Sequence, residues 1–388
     1  MSMPWLAELR GVTARLLAGA AVFLMSGLAF ADYALNFQRP VTEIARDILN
    51  LHNLIVVICA VILVVVFSVM FYALFAHRKS RGHKAATFHD NSTVEMAWTI
   101  VPFVILIGMA IPSTSTLLKM DDVSGSEMTV KITGYQWKWR YDYLDHDVGF
   151  FSVLSTPREQ IENKADKGDH YLLEVDSPLV LPVGKKVRIL VTANDVIHSW
   201  WVPALGVKKD AIPGFINEIW TRIDEPGIYR GQCAELCGKD HGFMPVVVKA
   251  VSVQEFAAWV MQKKELAAAA AAAASQTWSM AQLMSRGKVV YSQCAACHGP
   301  TGQGVPGVFP AIAGSKVTTG PIEENLRLIM EGVPGTAMQA FAEQLNDVDI
   351  AAVATYQRNA FGNNTGDLVQ PSQVKALRKL ASVFRGDG

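Results

Sequence analysis

Two short stretches hold the side chains with the most chemistry to offer. Residues 231–244, GQCAELCGKDHGFM, place Cys233, Cys237, His241 and Met244 in the order CxxxCxxxHxxM. Thiolate and thioether donors select copper over hard cations, and imidazole serves oxidised copper equally well, so one site can hold the metal in either redox state. The second stretch, CAACH, puts Cys294, Cys297 and His298 in the CxxCH pattern of c-type haem attachment. There two thiols anchor the vinyl groups and the histidine ligates iron. A zinc half-site would need a second ligand pair downstream, and His298 is the last histidine of the chain.

Each stretch needs further donors from elsewhere. The CxxxC pair alone is weak evidence, and His198, in VIHSWWVPALGVKKDAIPG, adds a donor from far upstream beside two tryptophans at the end of a strand pattern. For the haem, a methionine as second axial ligand would raise the potential. Met338, in PGTAMQAF, lies in a Gly/Pro-bounded loop that can rest on a haem face, whereas Met330 belongs to a predicted helix, where a core role is expected. Residues 302–307 match GxGxxG, but no strand precedes them and Pro306 interrupts the expected helix, so these glycines shape a loop at the haem edge rather than a nucleotide site.

The elements that must position these residues begin in a membrane. Arg10 and Arg15 precede an apolar run at 16–30, and Ala29 and Ala31 supply a small-x-small end, which predicts a signal peptide over 1–31. Residues 54–76 and 98–118 carry no charged side chain, and each run is long enough to cross a bilayer. Arg78, Lys79, Arg81 and Lys84 sit between the two, so the positive-inside rule puts that loop in the cytoplasm and both outer ends outside. Pro102 and Pro112 are tolerable in the second span because neighbouring helices can satisfy the freed carbonyls. Cys59, alone in the first span, reads as a small buried hydrophobe. Glu95, just before the second span, reads as a helix-start carboxylate or as a proton-uptake group.

From Met128 the pattern changes. Val130, Ile132, Tyr135, Trp137 and Trp139 recur near period two, and YLLEV, KVRILVTA and PVVVKAV are rich in β-branched residues, which predicts an antiparallel sandwich or barrel of roughly 130 residues. The copper loop then falls between two late strands. Eight consecutive alanines, 267–274, predict a helical or semi-rigid linker. Beyond it helices are expected over 279–290, 323–330 and 347–361, with a loosely ordered polar tail from 362 and a basic helical stretch near 375–379. The organisation is therefore a signal peptide (1–31), an N-terminal segment with a two-helix transmembrane hairpin (32–120), an all-β domain (121–262), a linker (263–276), an all-α haem domain (277–362) and a tail (363–388). With 35 basic and 35 acidic residues the net charge is zero, which suggests neither nucleic acid nor a strongly acidic partner.

VEMAWTIVP, GYQWKWRYDY, HSWWVPALGVKKDAIPG and GQCAELCGKDHGFMP together resemble subunit II of haem–copper cytochrome c oxidases over residues 40–262. With the fused CxxCH domain, which resembles class I cytochromes c, the chain is similar to the caa3-type bacterial version. The resemblance implies a cupredoxin fold with the binuclear CuA centre. Its ligands would be His198, Cys233, Cys237, His241 and Met244, with the backbone carbonyl of Glu235. It also implies a magnesium ion reached by the Glu235 side chain at the contact with subunit I, electron input at Trp137 and a proton-channel entrance at Glu95. Two bridging thiolates agree with a copper pair, since a mononuclear blue-copper site would need one cysteine and two histidines. One departure stands out: the family's methionine ligand to haem usually precedes proline, and here Gln339 follows Met338.

The function so implied is that of an electron-input subunit of a proton-pumping terminal oxidase in a bacterial inner membrane, with both soluble domains on the periplasmic side. Electrons would pass from a donor cytochrome c through haem c and CuA to subunit I, where oxygen is reduced to water. Two rival readings are a nitrous oxide reductase, which carries its catalytic cluster on a histidine-rich domain that nine histidines in this arrangement do not supply, and a copper-storage or delivery protein without electron transfer.

Overall fold

A computed structural model describes residues 36–385 apart from 85, 86, 88, 334, 335 and 337. The expected signal peptide lies outside these residues. Helix α1 (Glu43–Ala76) is capped by Thr42, whose hydroxyl accepts from the Ala45 amide. Helix α2 (Ser92–Asp121) is capped by Asn91 and contains Pro102 and Pro112. Both are long and apolar enough to cross a membrane. Their apolar side chains face outward, as a lipid-facing surface requires, and Cys59 is among the exposed groups rather than buried. In a two-helix hairpin too little protein surrounds each helix to cover it.

The outer ends of the hairpin are clamped to the β domain. Ile44 and Ala45 are buried, and the Thr42 hydroxyl donates to the Leu205 carbonyl at 2.9 Å. Lys119 reaches Asp47 at 2.8 Å, Arg222 reaches Glu43 at 3.1 Å, and the Trp220 indole donates to the Lys119 carbonyl at 2.8 Å. Exposed ion pairs of this kind contribute little singly. Their common location, where α1 and α2 meet the domain, sets the orientation of the sheets against the helices.

Ten strands form the domain: β1 (Met128–Tyr135), β2 (Lys138–Tyr143), β3 (Val148–Ser152), β4 (Leu179–Pro182), β5 (Val187–Ala193), β6 (His198–Val202), β7 (Val207–Ala211), β8 (Asn217–Thr221), β9 (Gly227–Cys233) and β10 (Pro245–Val251). They make two five-stranded sheets, ordered β3-β2-β1-β5-β8 and β4-β10-β9-β6-β7. Strict alternation of buried and half-buried residues in β5 shows why the sequence pattern read as strand. The inner faces supply Val130, Ile132, Trp139, Tyr141, Ile189, Val191, Trp200 and Val248, all essentially inaccessible. Burial of such side chains stabilises by about 1.5–3 kcal/mol each. The sheets are not wholly antiparallel: β1 pairs with β5, and β4 with β10, in parallel. Those pairs join strands distant in sequence, and local alternation carries no record of strand direction.

Helix α3 (Val253–Ala273) starts with a capping box of Ser252 and Glu255. It packs Phe256 and Trp259 around Tyr143, with ring centroids 6.1 and 5.0 Å away, before the alanine run. The C-terminal unit contains α4 (Met280–Val290), α5 (Ser292–His298), α6 (Ile322–Glu331), α7 (Asp347–Asn359) and α8 (Pro371–Arg385). Its core includes Leu326, Ile329, Ile350, Val353 and Tyr291. The segment after 362, expected to be loose, is packed instead: Val369 and Val374 are fully buried, and Arg378 pairs with Asp347 at 2.9 Å. Val369, Val374 and the Arg378 contacts together seat α8 on the bundle.

Candidate metal centre

Neighbouring strands bring the copper-type donors together. His198 opens β6 and Cys233 closes β9, and the two strands pair with Trp200 opposite Cys233. Met244 immediately precedes β10, which pairs with β9 so that Pro245 lies opposite Gln232. The Cys233 amide donates to the Met244 carbonyl at 3.1 Å and the Ala234 amide to the Ser199 carbonyl at 3.0 Å, which pins both ends of the loop. Gly231 is required where β9 meets β6, because a Cβ there would lie 1.8 Å from the Trp201 carbonyl oxygen.

The resulting distances are short. The thiols of Cys233 and Cys237 are 3.8 Å apart. His198 Nδ1 lies 4.0 Å from the Cys233 sulfur, and His241 Nδ1 lies 3.5 Å from the Cys237 sulfur. Met244 Sδ is 3.5 Å from Cys237, and the Glu235 carbonyl oxygen is 3.3 Å from Cys233. Cys233, Cys237 and Met244 are buried, as is His198. One imidazole therefore flanks each thiol, and the methionine and the carbonyl sit on opposite thiols. This quasi-symmetric set fits two soft metal ions bridged by the two sulfurs. The Glu235 side chain is exposed.

The electrostatics favour deprotonation at one thiol. Burial opposes charge at Cys233, but His198 and the amide of the neighbouring backbone outweigh it and lower this thiol to about 7. At Cys237 burial and the Cys233 charge act together and push the thiol to about 12. Bringing both to the thiolate form requires a cation between them, which is what metal binding supplies.

Several supporting residues were not anticipated from sequence. Asp195 Oδ1 lies 2.8 Å from His198 Nε2, fixing the ring so that Nδ1 faces the sulfurs. Its signal was an acid three residues before the histidine. Gly134 leaves room for that ring, since a Cβ there would meet His198 Cδ2 at 2.8 Å. Trp139 meets the same ring edge-on at 5.9 Å. On the other side, the Gln136 amide and the Trp137 indole both donate to the Cys237 carbonyl, at 2.9 and 3.1 Å. Trp137 is thus half-buried against the copper loop. Glu95 lies apart from this group, exposed in the first turn of α2.

In the helical unit α5 presents Cys294, Cys297 and His298. His298 Nδ1 lies 2.7 Å from the Pro310 carbonyl, so it donates there and Nε2 is left as the iron-facing nitrogen. Cys294 packs against the core, and burial, with the charge of Cys297, pushes its thiol up to about 11. Met338 is half-buried beside the same core, while Met330 is buried within α6. The two thiols and the oriented imidazole fit a covalently held haem, and Met338 borders the same core.

Three parts of the chain resemble known families. Residues 128–251 match the family described as cytochrome C oxidase subunit II, periplasmic domain. Residues 31–116 match its transmembrane domain, and residues 281–356 match cytochrome C oxidase, cbb3-type, subunit III. Cytochrome c oxidase subunit 2 of Cyanidium caldarium is 40% identical over 241 residues, covering 61% of this chain and 92% of that protein. The same subunit of Cereibacter sphaeroides is 39% identical, covering 59% of this chain and 80% of that protein. Among solved structures, the periplasmic domain of subunit II of cytochrome oxidase (CoxB) of Bradyrhizobium japonicum is 44% identical, covers 37% of this chain and 97% of that one, and gives a TM-score of 0.33. The curated relatives cover about three fifths of this chain, and the helical unit matches a separate family. With copper-type donors assembled on a β sandwich, two apolar helices ahead of it and a cytochrome c domain fused behind, the chain belongs to the cytochrome c oxidase subunit II family, in a form that fits the caa3 type.

Proposed function

We propose that the chain is the electron-input subunit of a proton-pumping terminal oxidase in a bacterial inner membrane, organised in the six segments bounded above. His198, Cys233, Cys237, His241, Met244 and the Glu235 carbonyl hold a binuclear CuA centre. Cys294 and Cys297 bind haem c, with His298 and Met338 as its axial ligands. When bound, these groups supply one-electron chemistry. The chain's own residues fix their positions and exclude water from the copper side. The carrying observation is the two-thiol core with one imidazole on each sulfur, 4.0 and 3.5 Å away.

Electrons come from a cytochrome c and leave for subunit I, where oxygen is reduced. A contact with subunit I and other oxidase subunits is supported by apolar side chains exposed at the copper end of the domain. Leu236 lies on the loop itself and is 79% exposed, and Phe215 and Ile216 follow β7, whose Ala211 pairs with His198. The exposed Glu235 carboxylate is the group that would reach a magnesium ion there, and Glu95, at the opposite end of α2, would take up protons.

Metal analysis with electron paramagnetic resonance on the purified chain tests this reading. A copper pair shared by two thiolates gives a seven-line hyperfine pattern beside a low-spin haem c. A four-line pattern or a single copper per chain would contradict the binuclear site. Labile copper that does not respond to reduction of the haem would favour copper storage.

A further inference from the structure

Among the described residues, side chains at 339–344 of the haem domain meet residues 136–140 of the copper domain, beside the copper loop. Gln339, the residue after Met338, donates from Nε2 to the Gln136 carbonyl oxygen at 3.1 Å. The side chain of Gln136 in turn donates to the Cys237 carbonyl at 2.9 Å. Around this line, Gln344 bonds Gln339 at 3.0 Å and also accepts from Lys138. Arg140 Nη1 donates to the Glu343 carbonyl at 3.1 Å, and Phe341 lies under the Lys138 ammonium at 5.6 Å. The loop bearing these residues is itself fixed to α6, by the Phe341 amide to Ile329 and the Ala342 amide to Met330, each 3.0 Å.

We propose that Gln339 is a positioning residue that seats the haem domain on the Gln136–Lys138 turn, so that the haem-side methionine and the copper ligand Cys237 are joined by one peptide linkage and two hydrogen bonds through Gln136. This rests on the proposed functional reading and deepens it. The position where the family usually has proline carries an amide instead, and that amide makes the contact; proline has no side-chain donor to offer. The route needs no proton and no bond rearrangement. One electron lost at the haem is one gained at the copper pair. A second consequence is steric. The chain's own haem domain sits on Gln136 and Lys138, the two neighbours of Trp137, so a soluble one-electron carrier would deliver to that domain rather than to the copper side.

Lys138 reports on the seating without any turnover, because its ammonium is covered by Gln344 and Phe341 from the other domain. The full-length, haem- and copper-loaded protein is treated with an amine-acetylating reagent, and labelling is followed by mass spectrometry. In the unmodified protein Lys138 should label much more slowly than Lys208 and Lys239, whose side chains are 52% and 64% exposed. Gln339→Glu keeps the shape but removes the donor. Loss of a hydrogen bond worth about 1 kcal/mol should raise Lys138 labelling about fivefold, and haem-to-copper electron transfer after a reducing flash should slow. Arg140→Ala, on the other partner, should act in the same direction. Equal labelling of Lys138 and Lys208 in the unmodified protein would overturn the seating. Unchanged labelling in both variants would overturn the role of Gln339. Copper and haem content, measured on the same samples, separates these outcomes from failure of the metal assignments.

Discussion

Asp195 Oδ1 stands 2.8 Å from Nε2 of His198, a histidine whose side chain is fully buried. Burial alone would disfavour charge at both groups. Their contact reverses this, holding the Asp195 carboxyl below its ordinary range and the His198 imidazole above its own, with Cys233 adding to the latter. The acid thereby chooses which ring nitrogen faces the sulfurs. Asp195→Ala should weaken copper binding by about 10–100-fold, measured by competition against a chelator. Unchanged affinity would mean that packing against Trp139 alone orients the ring.

Gly134→Ala tests the same ring from the opposite side. The new methyl would stand 2.8 Å from His198 Cδ2, and neither β1 nor β6 can move without breaking paired strands. Overpacking of this kind costs about 1–3 kcal/mol. A thermal melt should show the loss, and the copper spectrum should broaden as the imidazole tilts. A spectrum identical to that of the unmodified protein would show that β6 yields instead.

Replacing Met338 by leucine should abolish the methionine-to-iron absorption band and lower the haem potential, by on the order of 100 mV within the roughly 0.8 V that axial ligands span. Persistence of the band would transfer the role to Met330. That exchange would require α6 to unpack, because Met330 is only 3% exposed.

The pH dependence of interdomain transfer follows from Lys138. Burial lowers its ammonium from 10.5 to about 8, with the charge of Asp195 opposing. A lowered value means that, between about 8 and 10.5, the seated form binds fewer protons than a form with the lysine in water. The seated form therefore gains stability as pH rises through that window and sits on its lower plateau below it. Besides Asp195, the groups facing this ammonium are Gln344, Phe341 and Phe151. Electron transfer should speed up as pH rises from about 8 to about 10, inside that window, and Lys138→Met should flatten the profile. A profile in the variant as steep as in the unmodified protein would assign the effect to another group.

Much of this was legible from residue types. CxxxCxxxHxxM and CxxCH announce their chemistry because thiols, imidazoles and thioethers are few and their spacing is local. Period-two burial exposed strands such as β5 for the same reason. Other parts had no side-chain signature. The Pro310 carbonyl that orients His298 and the Gln136 carbonyl that receives Gln339 are backbone groups every residue possesses, and only the fold selects them. The parallel pairing of β1 with β5 likewise depends on contacts across more than one intervening strand. Val369 and Val374 show the opposite error: a polar average over the tail concealed two residues that fill a fixed hole.

Helix α3 lays Phe256 and Val260 on the sandwich core and runs on to Ala273, its last third a run of alanines. At 1.5 Å per residue an arm of this kind is about 30 Å long. With haem and copper bound as proposed, it would make the donor haem a permanent neighbour of its acceptor, so the local concentration of donor would be set by geometry, in the millimolar range typical of short tethers (about 1 mM). Delivery to copper then becomes a first-order event. It should be indifferent to dilution and only weakly sensitive to ionic strength, unlike the encounter between the haem domain and whatever carrier refills it.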